Sequence, residues 1–156
     1  MSFIVSGLDA AQFGYLFGKS DEELQALGAR GYVADSHPGF PCRVLLKDVE
    51  PGTRVILLNY AHLDVPTPYN ARHAIFVADG AQSQTFEPGQ VPEILSIRQL
   101  ISLRAYDDTH MMVDACVVAG AETADALDAL LSDTSVSYIH AHTAGRGCYL
   151  AQIDRA

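Results

Sequence analysis

Lysine is almost missing from this chain: of ten basic residues only Lys19 and Lys47 are lysines, and the other eight are arginines. Closely spaced cysteines are missing too, because Cys42, Cys116 and Cys148 stand far apart and no Cys-x-x-Cys occurs. Three cysteines cannot all pair within one chain, so no disulfide framework is expected, and no structural zinc site of the usual four-ligand kind. No run approaches the roughly 18 consecutive apolar residues that a membrane-spanning helix needs. Positive charge is scarce overall, with ten basic against nineteen acidic residues and a formal net charge of -9. Such a surface repels phosphate backbones and anionic headgroups, which argues against nucleic-acid and membrane partners. A strand followed by a Gly-rich helix start is absent near the beginning, and so is a Gly-x-Ser-x-Gly elbow. Their absence disfavours a dinucleotide-binding fold and a serine hydrolase.

What is present fits one compact domain, residues 1–156, long enough to bury roughly two-thirds of the surface its unfolded form exposes. Met1 to Gly7 has neither the basic region nor the long apolar region of a secretory signal, and a cytoplasmic protein is expected. The preference for arginine has a chemical use, since a guanidinium is a rigid fork of donors that grips carboxylates or phosphates at two points. A GC-rich coding sequence would produce the same bias.

Local patterns predict the elements. Residues 3–5 suit a first strand, and Asp9 can cap a helix running to about Phe17. Ser20-Asp21-Glu22-Glu23 has capping-box spacing and opens a second helix that stops near Gly28. His37-Pro38-Gly39-Phe40-Pro41 forbids helix. Residues 42–46 and 53–60, around the turn Glu50-Pro51-Gly52, read as a hairpin with a central second arm. Residues 73–77 form another strand, and 79–93 a surface connection. Residues 97–106 and 110–118 make a second hairpin, 121–131 an amphipathic helix, and 138–152 a last hairpin. The class expected is α+β, with a mainly antiparallel β-sheet, two N-terminal helices and one helix before the C-terminal hairpin.

Several of these segments carry chemistry. In a strand alternate residues share a face, so Tyr138, His140 and His142 project together, opposite Ile139 and Ala141. If a helix covers the Ile139 side, the imidazoles line a cleft or an open face, where they touch water, bind a ligand or hold a metal with His73 or Asp114 as third ligand. Gly145-Arg146-Gly147 supplies positive-φ residues for a tight turn, and its open amides beside the guanidinium could trap a small anion. With Tyr106 opposite His110, Arg104 lies diagonal to Asp114 and shares its face with Ser102 and Tyr106. Cys42 beside Arg43 is either a small buried hydrophobe or a thiol activated by the adjacent charge, Cys116 is inert in an apolar strand, and Cys148 follows the glycine turn.

The combination of Pro38-Gly39-Phe40-Pro41-Cys42-Arg43, Glu50-Pro51-Gly52 before Leu57-Leu58-Asn59-Tyr60, Pro68-Tyr69 ahead of Ala74-Ile75-Phe76-Val77, and Arg146-Gly147-Cys148-Tyr149 is specific. On these residues the chain resembles a bacterial family catalogued as domain of unknown function 1203. The resemblance implies a single-domain bacterial protein and brings no activity or cofactor with it. The function expected from the residues is binding of a small carboxylate or phosphate metabolite by Arg43, Arg104, His140, His142 and Arg146, with Cys42, His73, Ser102, Tyr106, Asp114 and Cys148 in support. No cofactor and no assigned metal ligand belong to this expectation, and it leaves open whether the protein is an enzyme. The alternatives are a homodimeric or partner-interaction module, and a metal- or thiol-dependent enzyme.

Overall fold

The computed structural model describes residues 2–156. In chain order the elements are β1 (Phe3–Ser6), a 3-10 turn (Ala10–Phe13), α1 (Asp21–Ala26), β2 (Arg30–Val33), β3 (Pro41–Cys42), β4 (Lys47–Asp48) and β5 (Arg54–Leu63). There follow β6 (Ala71–Ala78), α2 (Glu93–Ser96), β7 (Ile101–Tyr106), β8 (Met112–Val118), a 3-10 turn (Gly120–Glu122), α3 (Thr123–Leu131), β9 (Tyr138–Thr143) and β10 (Tyr149–Arg155). The class is α+β, as expected, but the strands form two five-stranded sheets, ordered β1-β10-β9-β7-β8 and β2-β5-β6-β3-β4. Every neighbouring pair is antiparallel except β3 with β6. No helix among the described residues is long and apolar enough to cross a membrane.

Alternation decides which face of the first sheet is apolar. Ile101, Leu103 and Ala105 of β7 and Ile139 and Ala141 of β9 enter one cluster with Leu127, Leu130 and Leu131 of α3 and Ile94 and Leu95 of α2. Each large side chain buried there contributes about 1.5–3 kcal/mol, which is why the Leu-rich stripe of α3 docks on this face. The second sheet has its own cluster, in which Val55, Ile56 and Leu58 of β5 and Ile75 and Val77 of β6 meet Phe13, Leu16 and Leu24 from the N-terminal segment. That segment is held at α1 by the expected capping box: Ser20 Oγ accepts from the Glu23 amide at 3.2 Å, and Glu23 Oε1 accepts from the Ser20 amide at 3.1 Å.

Four local expectations are corrected. The helix foreseen through Phe17 is only the 3-10 turn at Ala10–Phe13, followed by irregular turns. Residues 42–46 are not one strand: Cys42 ends the short β3, after which the chain turns, and Leu46 takes a positive φ of 53°. The apolar Val44-Leu45-Leu46 run arises because Val44 packs into the second sheet's cluster and Leu46 into the first's. That two-sided packing offsets a backbone strain of order 1–3 kcal/mol. The neighbours of β5 in its sheet are accordingly β2 and β6, both antiparallel. Helix α2 was not foreseen, and the strand placed at residues 97–106 begins only at Ile101.

The fourth correction concerns register. The Asp107 carboxylate accepts from the Thr109 and Met111 amides, closing a wider loop than three residues. Tyr106 therefore pairs with Met112, a bulge follows, and Arg104 pairs with Ala115 while Asp114 pairs with Ala105. Asp114 stands on the opposite face from Arg104, and its Oδ1 accepts from its neighbour's amide at 2.7 Å.

Gly120 shows how tightly α2 sits. A Cβ at this position would lie 2.3 Å from the Arg98 carbonyl oxygen, 2.4 Å from that of Leu95 and 2.8 Å from that of Ser96. Gly120→Ala should destabilise the protein by about 1–3 kcal/mol in urea unfolding, as overpacking against backbone does. Gly145→Ala, with nothing within 4 Å of the added carbon, should stay within about 0.5 kcal/mol. Equal stability of the two variants would disprove the close approach.

Candidate functional site

With Ile139 and Ala141 committed to the apolar cluster, β9 must turn His140 and His142 to its other side. That side is not open: His140 is 1% exposed and His142 0%. They are covered by Tyr149 of β10 and by His62 of β5 and His73 of β6, so imidazoles from both sheets come together. The His62 ring stacks on His73 at 4.9 Å and on Tyr149 at 5.1 Å, and meets His142 edge-on at 5.0 Å and His140 at 5.7 Å. Tyr106 and Tyr138 stack on each other at 5.2 Å and continue the layer beside His140.

Hydrogen bonds fix which nitrogens of these rings carry protons. His142 Nδ1 lies 2.8 Å from the Gly147 carbonyl oxygen, which can only accept, so Nδ1 is the donor and Nε2 keeps a lone pair. The Gln152 side-chain nitrogen donates to both carboxylate oxygens of Asp154 at 3.1 Å, which turns its oxygen toward His140 Nε2 at 3.3 Å and leaves the lone pair of His140 on Nδ1. His62 Nε2 and His73 Nδ1 are 2.9 Å apart. His62 Nδ1, His140 Nδ1 and His142 Nε2 are buried without a hydrogen-bond partner.

Burial, which disfavours the charged imidazole, holds the pKa of His62 and His142 down at about 3 and that of His140 at about 4. It lowers His73 as well, and the positive charge of Arg104 reinforces all four shifts. Arg104 is half-buried, donates to Ser102 Oγ at 3.4 Å, and has no carboxylate partner among the described residues. The cluster is therefore a set of neutral donors beside one fixed cation. One nitrogen each from His62, His73 and His142 lies within 4.8 Å of the others, a set able to hold a metal ion.

A separate cavity of about 480 Å³ is lined by Arg43, Arg98 and Arg146 together with Cys148, Thr143, Leu57 and Phe76. Arg43 is 3% exposed, and burial lowers its pKa to about 10. Its Nε donates to the Tyr149 carbonyl at 2.8 Å and its Nη1 to that of Pro41 at 2.6 Å, which fixes the guanidinium in place. Arg98 forms an ion pair with Asp48, whose other oxygen accepts from the Gly39 amide at 2.8 Å. Neither Arg43 nor Arg146 has a carboxylate within ion-pair distance among the described residues.

The residues singled out in the sequence thus divide between two places. Arg43, Arg146 and Cys148 meet at the cavity, whereas Arg104, His140, His142, His73, Ser102 and Tyr106 belong to the inner layer, and Asp114 to neither. His140 also borders a second hollow of about 280 Å³, with His62, His110 and Tyr138. Gly147 has φ +74°, but Gly145 does not need a positive φ. The amides of Gly147 and Cys148 are not open to an anion, because they donate to the Thr143 carbonyl at 3.1 Å and Thr143 Oγ1 at 2.9 Å. Cys42 is fully buried, its Sγ accepting from the Leu45 and Ala78 amides. Burial and Asp114 raise the pKa of Cys116. Two site residues were missed: Arg98, which closes the cavity from beyond α2, and His62, which lay past the expected end of the strand at Tyr60. Simple alternation would not have placed His62, because the β5–β6 register shifts between Tyr60 and Leu63.

The fold and site define a two-sheet α+β protein with a buried imidazole and tyrosine layer and an arginine-lined cavity. The chain belongs to the family described as a protein of unknown function (DUF1203), whose model matches residues 39–155. Nothing among curated proteins or solved structures matches it.

Neutral burial of these rings has a pH consequence. A histidine whose folded pKa is depressed binds fewer protons folded than unfolded between the two pKa values, so its stabilisation is complete above about pH 6.5 and is lost as pH falls toward 4. With chelator present, the urea midpoint should fall from pH 7 to pH 5, each fully buried imidazole contributing up to about 1.4 kcal/mol per pH unit. His142→Gln should flatten that slope. An unchanged slope would show that His142 is not buried neutral.

Proposed function

We propose that the protein binds a small carboxylate or phosphate metabolite in the cavity between Arg43, Arg98 and Arg146. The observation that carries this reading is the convergence of three guanidiniums on one hollow in a chain of net charge -9. Only Asp48 offsets them there, through Arg98. Two cations free of ion pairs in a partly desolvated site favour an anion, and a charge-assisted hydrogen bond is worth about 1.5–3 kcal/mol. Leu57, Ala74 and Phe76 supply an apolar wall, which suits an anion with a hydrocarbon or aromatic body rather than inorganic phosphate alone. Of the inner layer, His142 supports the turn that carries Arg146 through its bond to the Gly147 carbonyl.

A thermal-shift panel of carboxylates and organic phosphates tests the reading. At least one ligand should raise the melting temperature of the parent protein, and Arg146→Ala, at an exposed position, should weaken that ligand about tenfold or more. No shift from a broad panel, or equal binding by Arg146→Ala, refutes it.

The homodimer is supported by a different feature. β8 is an edge strand carrying exposed Val113 and Val117, the latter 59% exposed, and such an edge pairs readily with another strand. Light scattering should then give twice the chain mass, reduced to one chain mass by Val117→Lys. A monomeric parent protein at high concentration rules it out.

A further inference from the structure

We propose that His62, His73 and His142 form a binding site for one divalent first-row transition-metal ion of the zinc type, with a fourth position left for water or an anion. The three residues come from β5, β6 and β9, strands of both sheets, so the donor set is held by rigid elements rather than by a loop. A ligand-capable nitrogen of each lies within 4.8 Å of the other two. Tetrahedral zinc with Zn–N bonds of about 2.0–2.1 Å needs its donors about 3.3 Å apart, a closure that small rotations of the rings supply.

A second observation points to a ligand. His142 is 0% exposed, its Nδ1 proton is committed to the Gly147 carbonyl, and its Nε2 lone pair meets no donor. A bond from the far ring nitrogen to a backbone carbonyl is the arrangement that orients metal-bound histidines. A buried lone pair with no donor is costly in itself, and a cation is a partner that it lacks. Three neutral imidazoles without a carboxylate suit zinc, cobalt, nickel or copper, and not calcium or magnesium, which need oxygen ligands. Arg104, donating at Ser102 beside the layer, adds positive charge close to the ion and so favours hydroxide or an anion at the fourth position.

The site shares no lining residue with the arginine cavity, and its test is independent of the metabolite. The full chain, freed of metal with EDTA, is titrated with Co2+ and then Zn2+. One equivalent should bind per chain, with the intense visible absorption of four-coordinate cobalt, which zinc displaces. Zinc should also raise the melting temperature. His62→Asn and His142→Asn should each lose more than about tenfold in zinc affinity, the least expected when even an outer-shell partner is removed.

His37, which faces Glu50 at 3.8 Å and Glu93 at 3.3 Å on the surface, is the rival site, and His37→Asn should bind as the parent does. Should the inner-layer variants fail to fold, X-ray absorption on the zinc-loaded parent protein counts the imidazoles, and three are expected. No stoichiometric binding, retention of affinity in His142→Asn, loss in His37→Asn, or fewer than three imidazoles overturns the proposal.

Discussion

The rest of the structure depends on β9 being buried on both faces. One face takes Ile139 and Ala141 into the apolar cluster under α3, and the other carries His140 and His142 against the imidazoles of β5 and β6. A strand with a polar face can be buried on both sides only if that face finds partners inside the protein. Neutral imidazoles meet part of this demand, since each offers one donor and one acceptor, and the Gly147 carbonyl and Gln152 amide fix which nitrogen plays which part. The acceptors that stay unpaired are the chemically available atoms of the layer.

The same strand also sets the arginine cavity. The His142 bond to Gly147 and the Thr143 bonds to Gly147 and Cys148 shape the turn that carries Arg146. Arg43 is locked from the opposite side by the Tyr149 carbonyl, the first residue of β10. The two regions are thus separate in lining but joined through the β9–β10 hairpin. The anion recognition proposed at the cavity and the ion capture proposed in the layer would rest on different side chains of one scaffold.

Much of the fold is legible in the chain because its rules are local. The Ser20 capping box, the amphipathic stripe of α3 and the strict alternation of residues 138–143 each depend on neighbours within one element. The failures share a cause. Residues 44–46 look like a strand because they are apolar, yet they are apolar for two different clusters. The β7–β8 register was shifted by side-chain bonds of Asp107 that no alternation rule contains. Of the site, the identity of Arg43, Arg146, His73, His140 and His142 could be read from residue type. His62 and Arg98 could not, because one lies within a break in strand register between Tyr60 and Leu63 and the other follows a short helix opened by Pro92.

By itself the sequence determined the class of the protein, the element types with local signatures, the acidic surface and the pairing of His140 with His142 on one side of a strand. Only the tertiary structure decided that there are two sheets, that the histidine side is buried against His62 and His73, and that Arg43 and Arg146 meet Arg98 while Arg104 stays with the imidazoles. The physical reason is that periodicity fixes which residues share a face, whereas what lies opposite that face is set by long-range packing between strands distant in the chain.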